Sequence, residues 1–330
     1  MNDRAVSILE QYELEVLRTW KGRGAILCET NLGTCILKEY SGRKEKAVSQ
    51  DAILKNLKAA GIGQVEQIIL NKEGDPVTFK EQDGIFYMVK TYFTGNECNI
   101  WDVEDCKKAA GLLGRIHGQI VNKELELPVF HLLEEYDRHN KEIKRVKKFL
   151  KQKGQKSVFE RFLLQQIDTF YEQALAVTEQ LRILEKQNSE QDILSKGFIC
   201  HGDYQYHNIL VTEEGMAAIN FERLIRDYPI RDLYLFLRKF LEKNNWSDDM
   251  GRNIIAAYQT EQPLSEQDMK QLYIRFAYPE KFWKIVNFYD NSRKVWIPEK
   301  NMEKLSRLLD QDQEKRLFLK QVFGRAPVSF

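Results

Sequence analysis

The sequence predicts an α+β protein with a small antiparallel-sheet lobe and one main helix over residues 1–92, then a large, mostly helical lobe over residues 93–330. Three observations predict it. Short apolar runs punctuated by Gly, Asn, Asp and Pro fill much of residues 25–91, which is strand-and-turn patterning. Near Lys90–Gly95 the period changes, and helical spacing dominates downstream. Within that helical part, one hairpin over residues 199–222 concentrates polar residues between apolar strands.

Taken in order, residues 5–19 carry apolar side chains at helical spacing and read as a first helix. Ala25–Thr30 and Thr34–Tyr40 flank Asn31-Leu32-Gly33, a hairpin signal. A helix follows from about Arg43 to Ala60. Val65–Leu70 and Ile85–Thr91 are two further strand-like runs, and a small lobe of five short strands around one helix is expected. Helices are then expected over Cys106–Ile120, Glu134–Leu150 and Phe159–Asn188. His117 lies on the apolar face of the first of these and reads as a packed helix residue. Residues 137–156 are unusually basic, a solvated face or an attraction for an anionic partner. After the hairpin, Arg231–Leu237 opens another apolar helix, and an aromatic-rich helical stretch, whose aromatics from Trp246 through Phe276, Phe282 and Phe288 to Phe318 and Phe323 read as core, completes the chain.

The hairpin carries His201-Gly202-Asp203-Tyr204-Gln205-Tyr206-His207-Asn208. The pattern His-x-Asp-x-x-x-x-Asn has the spacing of the catalytic loop of the protein-kinase fold. That spacing lets Asp203 orient an attacking hydroxyl and accept its proton, while Asn208 brings a neutral oxygen to a metal bridging ATP phosphates. A metal-binding Asp should follow across the hairpin, but the sequence there reads Asn220-Phe221-Glu222. Lys38, near the end of an apolar strand, stands where that fold places its phosphate-pairing lysine. The helix after it offers no interior Glu to pair with Lys38. Gly22 and Gly24, in Lys21-Gly22-Arg23-Gly24, form either a phosphate-covering loop or an ordinary turn. Asp232 is either a helix cap or a carboxylate bracing the catalytic loop beside His201.

The formal net charge is +1, so no global field steers the chain to nucleic acid or a membrane surface. No uncharged run is long enough to span a bilayer, and no signal peptide is evident. The five cysteines form no Cys-x-x-Cys pair, their odd count argues against a disulfide framework and for a reducing compartment at synthesis, and no Cys/His cluster has the spacing of zinc ligands.

Lys38, Leu113-Gly114-Arg115-Ile116-His117 and the His201–Asn208 motif resemble the aminoglycoside phosphotransferase and choline kinase group. More closely, the chain resembles the CotS family of bacterial spore coat proteins. Gly22-Arg23-Gly24-Ala25, the catalytic-loop motif, Asn220-Phe221-Glu222 and Ala277-Tyr278-Pro279-Glu280-Lys281-Phe282-Trp283 carry that likeness. The resemblance implies a protein-kinase-like two-lobe fold, synthesis in the mother-cell cytoplasm of a sporulating bacterium, and assembly with other coat proteins. If the basic helix borders the cleft, a polycationic aminoglycoside is disfavoured as substrate.

Asn220 decides how far the enzymatic reading carries. Mg²⁺ is usually held by one or two carboxylates plus substrate phosphates. An amide there keeps an oxygen but removes a full charge. Glu222 points the same way but lies about 6–7 Å further along an extended chain. Two expectations follow: a coat component that binds or assembles with weak or no phosphotransfer, a pseudokinase candidate, or an ATP- and Mg²⁺-dependent phosphotransferase acting on a small molecule or protein. In the second, Asp203 is the base, Lys38 meets the phosphates, and Asn208, Asn220 and Glu222 face the metal.

Overall fold

The computed structural model describes residues 3–22, 24–62, 64–187, 190–292 and 299–324. The chain divides into two compact units: Met1–Val129, Leu194–Phe236 and Ala257–Gln262 form the first, and Phe130–Ile193, Leu237–Ala256 and Pro263–Phe330 the second.

The first unit opens with a 3-10 helix, Asp3–Gln11, followed by β1 (Val16–Gly22), β2 (Ala25–Thr30) and β3 (Gly33–Tyr40). Then come α1 (Lys44–Ala59), β4 (Ile68–Ile69), β5 (Thr78–Lys80) and β6 (Ile85–Thr91). These six strands form one antiparallel sheet ordered β1-β2-β3-β6-β4, with β5 also on β6. Residues 16–19 are therefore strand and not helix, and the sheet gains a strand over the five expected. Helical spacing of a few apolar residues is weak evidence beside long-range pairing, and here Val16 through Gly22 pair with Thr30 back to Ala25. The expected strand over Val65–Leu70 shrinks to Ile68–Ile69, with Val65 making a separate parallel bridge to Ala218.

Ile8, Leu9 and Tyr12 of the short helix pack with Ile26, Cys28, Cys35, Leu37, Tyr87 and Val89 of the sheet. Side chains alternate faces along a strand. Leu37 is fully buried on that core face, so Lys38 points to the opposite one.

A second sheet, β7 (Asn96–Glu97), β8 (Ile209–Thr212) and β9 (Gly215–Ala218), holds the hairpin, with Ile209 opposite Ala218. Helix α2 (Val103–Gln119) is capped by Asp102, whose side chain accepts from the Glu104 N–H, and it buries His117 as expected of a packed residue.

The remaining helices are α3 (Leu132–Gln152), α4 (Val158–Gln187), α5 (Glu190–Lys196), α6 (Ile230–Lys243), α7 (Asp248–Gln259), α8 (Glu266–Ala277), α9 (Glu280–Ser292), α10 (Glu299–Asp310) and α11 (Asp312–Phe323). The second unit is helical. Its core includes the aromatics expected from the sequence, with Phe170 stacked on Phe282 at 4.4 Å and Trp246, Phe276 and Phe318 edge to face. Phe288 departs from that expectation and is 45 % exposed. The basic face of α3 is partly neutralised within the same unit: Arg145 pairs with Asp290, Lys147 with Asp168 and Lys153 with Glu160. No described helix is long and apolar enough to cross a membrane.

Ile8 tests whether the short helix completes the first core. Ile8→Ala should lower stability by about 2–5 kcal/mol, the usual cost of emptying a buried aliphatic site. A change under about 0.5 kcal/mol in urea unfolding, the range of surface substitutions, would show that the helix is not docked.

Candidate functional site: a cleft held by an amide chain

All the polar residues singled out in the hairpin belong to the first unit, and a cavity of about 630 Å³ gathers most of them. Lys38, Lys46, Asp203, His207, Asn208, Asn220, Glu222 and Arg223 line it. Gly22 and Gly24 do not. They end the tight β1–β2 turn, where Gly22 pairs with Ala25 and Gly24 has φ +70°. Arg23 between them lies outside the described residues.

The loop is supported from below. Asp232, fully buried near the start of α6, accepts from the His201 N–H at 2.6 Å and the Gly202 N–H at 2.9 Å. Its Oδ2 also meets His117 Nε2 at 3.1 Å, and His117 Nδ1 reaches the Tyr258 hydroxyl at 2.8 Å. Burial works to raise the Asp232 pKa, but these donors outweigh it and hold the carboxyl below its ordinary value. His201 Nδ1 accepts from the Asp203 N–H, which leaves Nε2–H to donate to the Ile219 carbonyl at 3.0 Å. Gly202 has φ +82°, and a Cβ there would stand 2.0 Å from the Arg223 carbonyl oxygen, so only glycine fits. The Tyr204 hydroxyl ties the loop to α2 by donating to the Ala109 carbonyl at 2.7 Å.

Across the hairpin, Asn220 adopts φ 67°, ψ 54°, a left-handed conformation that Asn tolerates better than most residues. Lys38 Nζ donates to Asn220 Oδ1 at 3.0 Å. An ammonium has donors only, so the Asn220 oxygen must face it and the Asn220 NH₂ must face away. That NH₂ donates to Asn208 Oδ1 at 2.8 Å, and the Asn208 NH₂ donates to the Asp203 carbonyl at 2.8 Å. The chain Lys38→Asn220→Asn208→Asp203 is closed, each amide oxygen having a protein donor.

Glu222 is also engaged. Its Oε1 lies 2.6 Å from Lys90 Nζ and 3.5 Å from Lys38 Nζ. Lys90 is 1 % exposed and also pairs with buried Glu66 at 2.8 Å. Glu66 Oε1 in turn accepts the Phe221 N–H at 2.9 Å. Burial acts to raise the Glu222 pKa, but the two lysines overcome it and pull the carboxyl down to about 2.

The strand lysine thus meets Asn220 and Glu222 in place of a helix glutamate. Helix α1 contributes a cation to the cleft, Lys46, which burial pushes below the usual lysine pKa. Sequence reasoning missed Lys90, Glu66, Lys46 and Arg223. The one available signal was Lys90 inside the apolar run Phe86–Thr91.

The fold implies a divalent cation with nucleotide, and these side chains do not fit one. Asn208 Oδ1, Asn220 Oδ1 and Glu222 Oε1, the proposed ligand oxygens, already accept from Asn220, Lys38 and Lys90. A cation would have to displace those donors. Asp203 lines the cavity, with Gln205 Nε2 donating to its Oδ1 and Arg223 Nε 3.8 Å from its Oδ2.

The lowered Glu222 pKa gives a pH signature. Its contribution is fully present above its ordinary value of 4.5 and is lost as pH falls through about 2. Wild type should therefore lose stability more steeply than Glu222→Gln between those pH values; equal slopes in acid unfolding would contradict the pairing with Lys90 and Lys38.

The model of the family described as "Spore coat putative kinase YutH" matches residues 5–322. Spore coat protein S of Bacillus subtilis (strain 168) is 24 % identical over 308 residues, covering 90 % of this chain and 86 % of that protein. Among solved structures, an aminoglycoside phosphotransferase from Alicyclobacillus acidocaldarius superposes with a TM-score of 0.86 at 15 % identity, over 97 % of this chain and 95 % of the other. Spectinomycin phosphotransferase APH(9)-Ia, solved with ADP and spectinomycin, gives 0.64 at 14 % identity, over 97 % and 96 %. The amicoumacin kinase hAmiN, solved with AMP-PNP and Ca²⁺, gives 0.62 at 12 % identity, over 96 % and 93 %. At such identities these likenesses establish the kinase-like fold. With the family model spanning nearly its whole length, the chain belongs to the YutH family of spore coat proteins, built on an aminoglycoside phosphotransferase-like fold.

Proposed function

We propose that this protein is a spore coat component whose kinase-like cleft serves binding or assembly, with weak or no phosphotransfer. The observation that carries this reading is the closed chain from Lys38 through Asn220 and Asn208. In a phosphotransferase the strand lysine and a metal meet the phosphates and stabilise charge in the transition state. Here Lys38 is held by an amide and a shared carboxylate, and the amide at position 220 turns its NH₂ toward Asn208. Family membership and the relation to spore coat protein S support synthesis in the mother cell and assembly with other coat proteins.

A second reading has one observation in its favour. Asp203 lines the cavity, where it could serve as base for an ATP- and Mg²⁺-dependent transfer to a small molecule or protein. Incubation with radiolabelled ATP, Mg²⁺ and spore extract separates the two. The expected result is no transfer above that of Asp203→Ala. Robust labelling by wild type, abolished in Asp203→Ala, would overturn the binding reading.

A further inference from the structure

The second unit holds a cluster of cations around one carboxylate. Glu242, near the end of α6, accepts from Arg238 Nη1 at 3.1 Å, and Lys281 Nζ of α9 stands 4.0 Å from its other oxygen. Its backbone carbonyl takes the side-chain N–H of Gln311, at the start of α11. Lys315, one turn into α11, lies with its ammonium 5.5 Å from the centre of the Trp246 ring. Lys239, half-buried on α6, has no hydrogen-bond or ion-pair partner among the described residues. Lys281 lies in the Ala277–Trp283 segment that carries the spore coat likeness, and in the second unit, not in the one that holds the cleft.

The charges in this cluster do not balance. Arg238, Lys239, Lys281 and Lys315 are four cations, and Glu242 is the one carboxylate that they share. Asp312 faces Lys315 but is paired with Arg316 at 2.6 Å, and Glu280 on α9 is paired with Lys284 at 2.5 Å. Lys243 and, from α10, Arg307 add positive charge to the field at Lys281. Burial pushes Lys239, Lys281 and Lys315 below the usual lysine pKa, Arg238 pushes each further, and Glu242 offsets only part of it; Lys315 falls to about 8. Ammonium groups withdrawn from water and crowded by like charges are costly, and an anion among them relieves both costs. A carboxylate would bring one charge and two oxygens. A phosphate group brings nearly two charges and three or more oxygens, which suits donors arriving from three helices.

We propose that the second unit carries an anion site between α6, α9 and α11, in which Arg238, Lys239, Lys281 and Lys315 bind a phosphate group. Two sources carry that chemistry, the free ion and a phosphate monoester. The site stands apart from the cleft and holds whether or not the cleft transfers phosphate.

The test is calorimetry on the full chain, with inorganic phosphate, phosphoserine and sodium chloride of matched ionic strength as separate titrants. Phosphate, phosphoserine or both should bind saturably, and chloride should not. Binding of phosphate alone assigns the free ion, binding of phosphoserine alone assigns a monoester, and binding of both assigns recognition to the phosphate group itself. Lys239→Met should weaken the binding about tenfold, the scale of one lost charge-assisted contact, and Lys239→Arg should keep it. Thermal unfolding of each variant checks that the fold is intact; if Lys239→Met fails to fold, Lys281→Met should show the same loss. No binding of either phosphate, chloride binding as tightly, or unchanged affinity in a folded Lys239→Met would each overturn the proposal. Binding lost in Lys38→Met and kept in Lys239→Met would place the ion in the first unit's cavity and overturn it too.

Discussion

A buried ammonium sets the geometry of this cleft. Lys90 sits near the end of β6, between β3 and β4, with almost no exposure, where an unpaired charge would be prohibitive. It is matched by Glu66 at 2.8 Å and Glu222 at 2.6 Å. Glu66 also takes the Phe221 N–H, so Phe221 and Glu222, the two residues after Asn220, are both tied to one charge cluster. With Phe221 buried and Glu222 anchored, Asn220 is pinned in a left-handed turn, its amide between Lys38 and Asn208. Removing one member of such a cluster leaves a buried charge uncompensated, typically a loss of about 3–5 kcal/mol.

The single change from Asp to Asn then has a directional consequence. A carboxylate at position 220 would present an acceptor to the Asn208 oxygen, two acceptors face to face. A cation resolves that conflict. An amide resolves it without one, because it has a donor to turn toward Asn208 while its oxygen stays on Lys38. The structure thus shows a hydrogen-bonded arrangement at positions 38, 208 and 220, with the loop's scaffold intact around it. Asp232, His201 and Gly202 still brace the loop, because that bracing serves the fold whatever the chemistry above it.

Much of this was legible in the sequence because it is local. The His201–Asn208 motif lies on one loop, and its spacing and flanking strands identify the fold. Asp232 stands out as a carboxylate at the start of the helix that follows the hairpin. The departure at Asn220 was visible as a single letter. What Asn220 does was not, because its partner Lys38 is 182 residues away and the contact exists only once two sheets are placed. Lys90 and Glu66 escaped for a related reason. A lysine in a strand ordinarily reads as a solvated edge residue, and only the pairing of Lys90 with Ile36 and Ile68 makes it interior. The first strand was misread because β1 is exposed along most of its length, so its burial pattern carries little of the alternation that marks a strand.

The central claim is that the Asn208 and Asn220 side chains hold each other and Lys38 in place of a divalent cation. It is most directly tested by the side-chain NH₂ resonances of these two residues in ¹⁵N NMR, with a non-hydrolysable ATP analogue present throughout. Adding Mg²⁺ should leave both pairs of resonances where they stand in EDTA. A saturable shift of both on Mg²⁺ addition would contradict the claim, since it would mean that the cation displaces the protein donors and takes the amide oxygens as ligands.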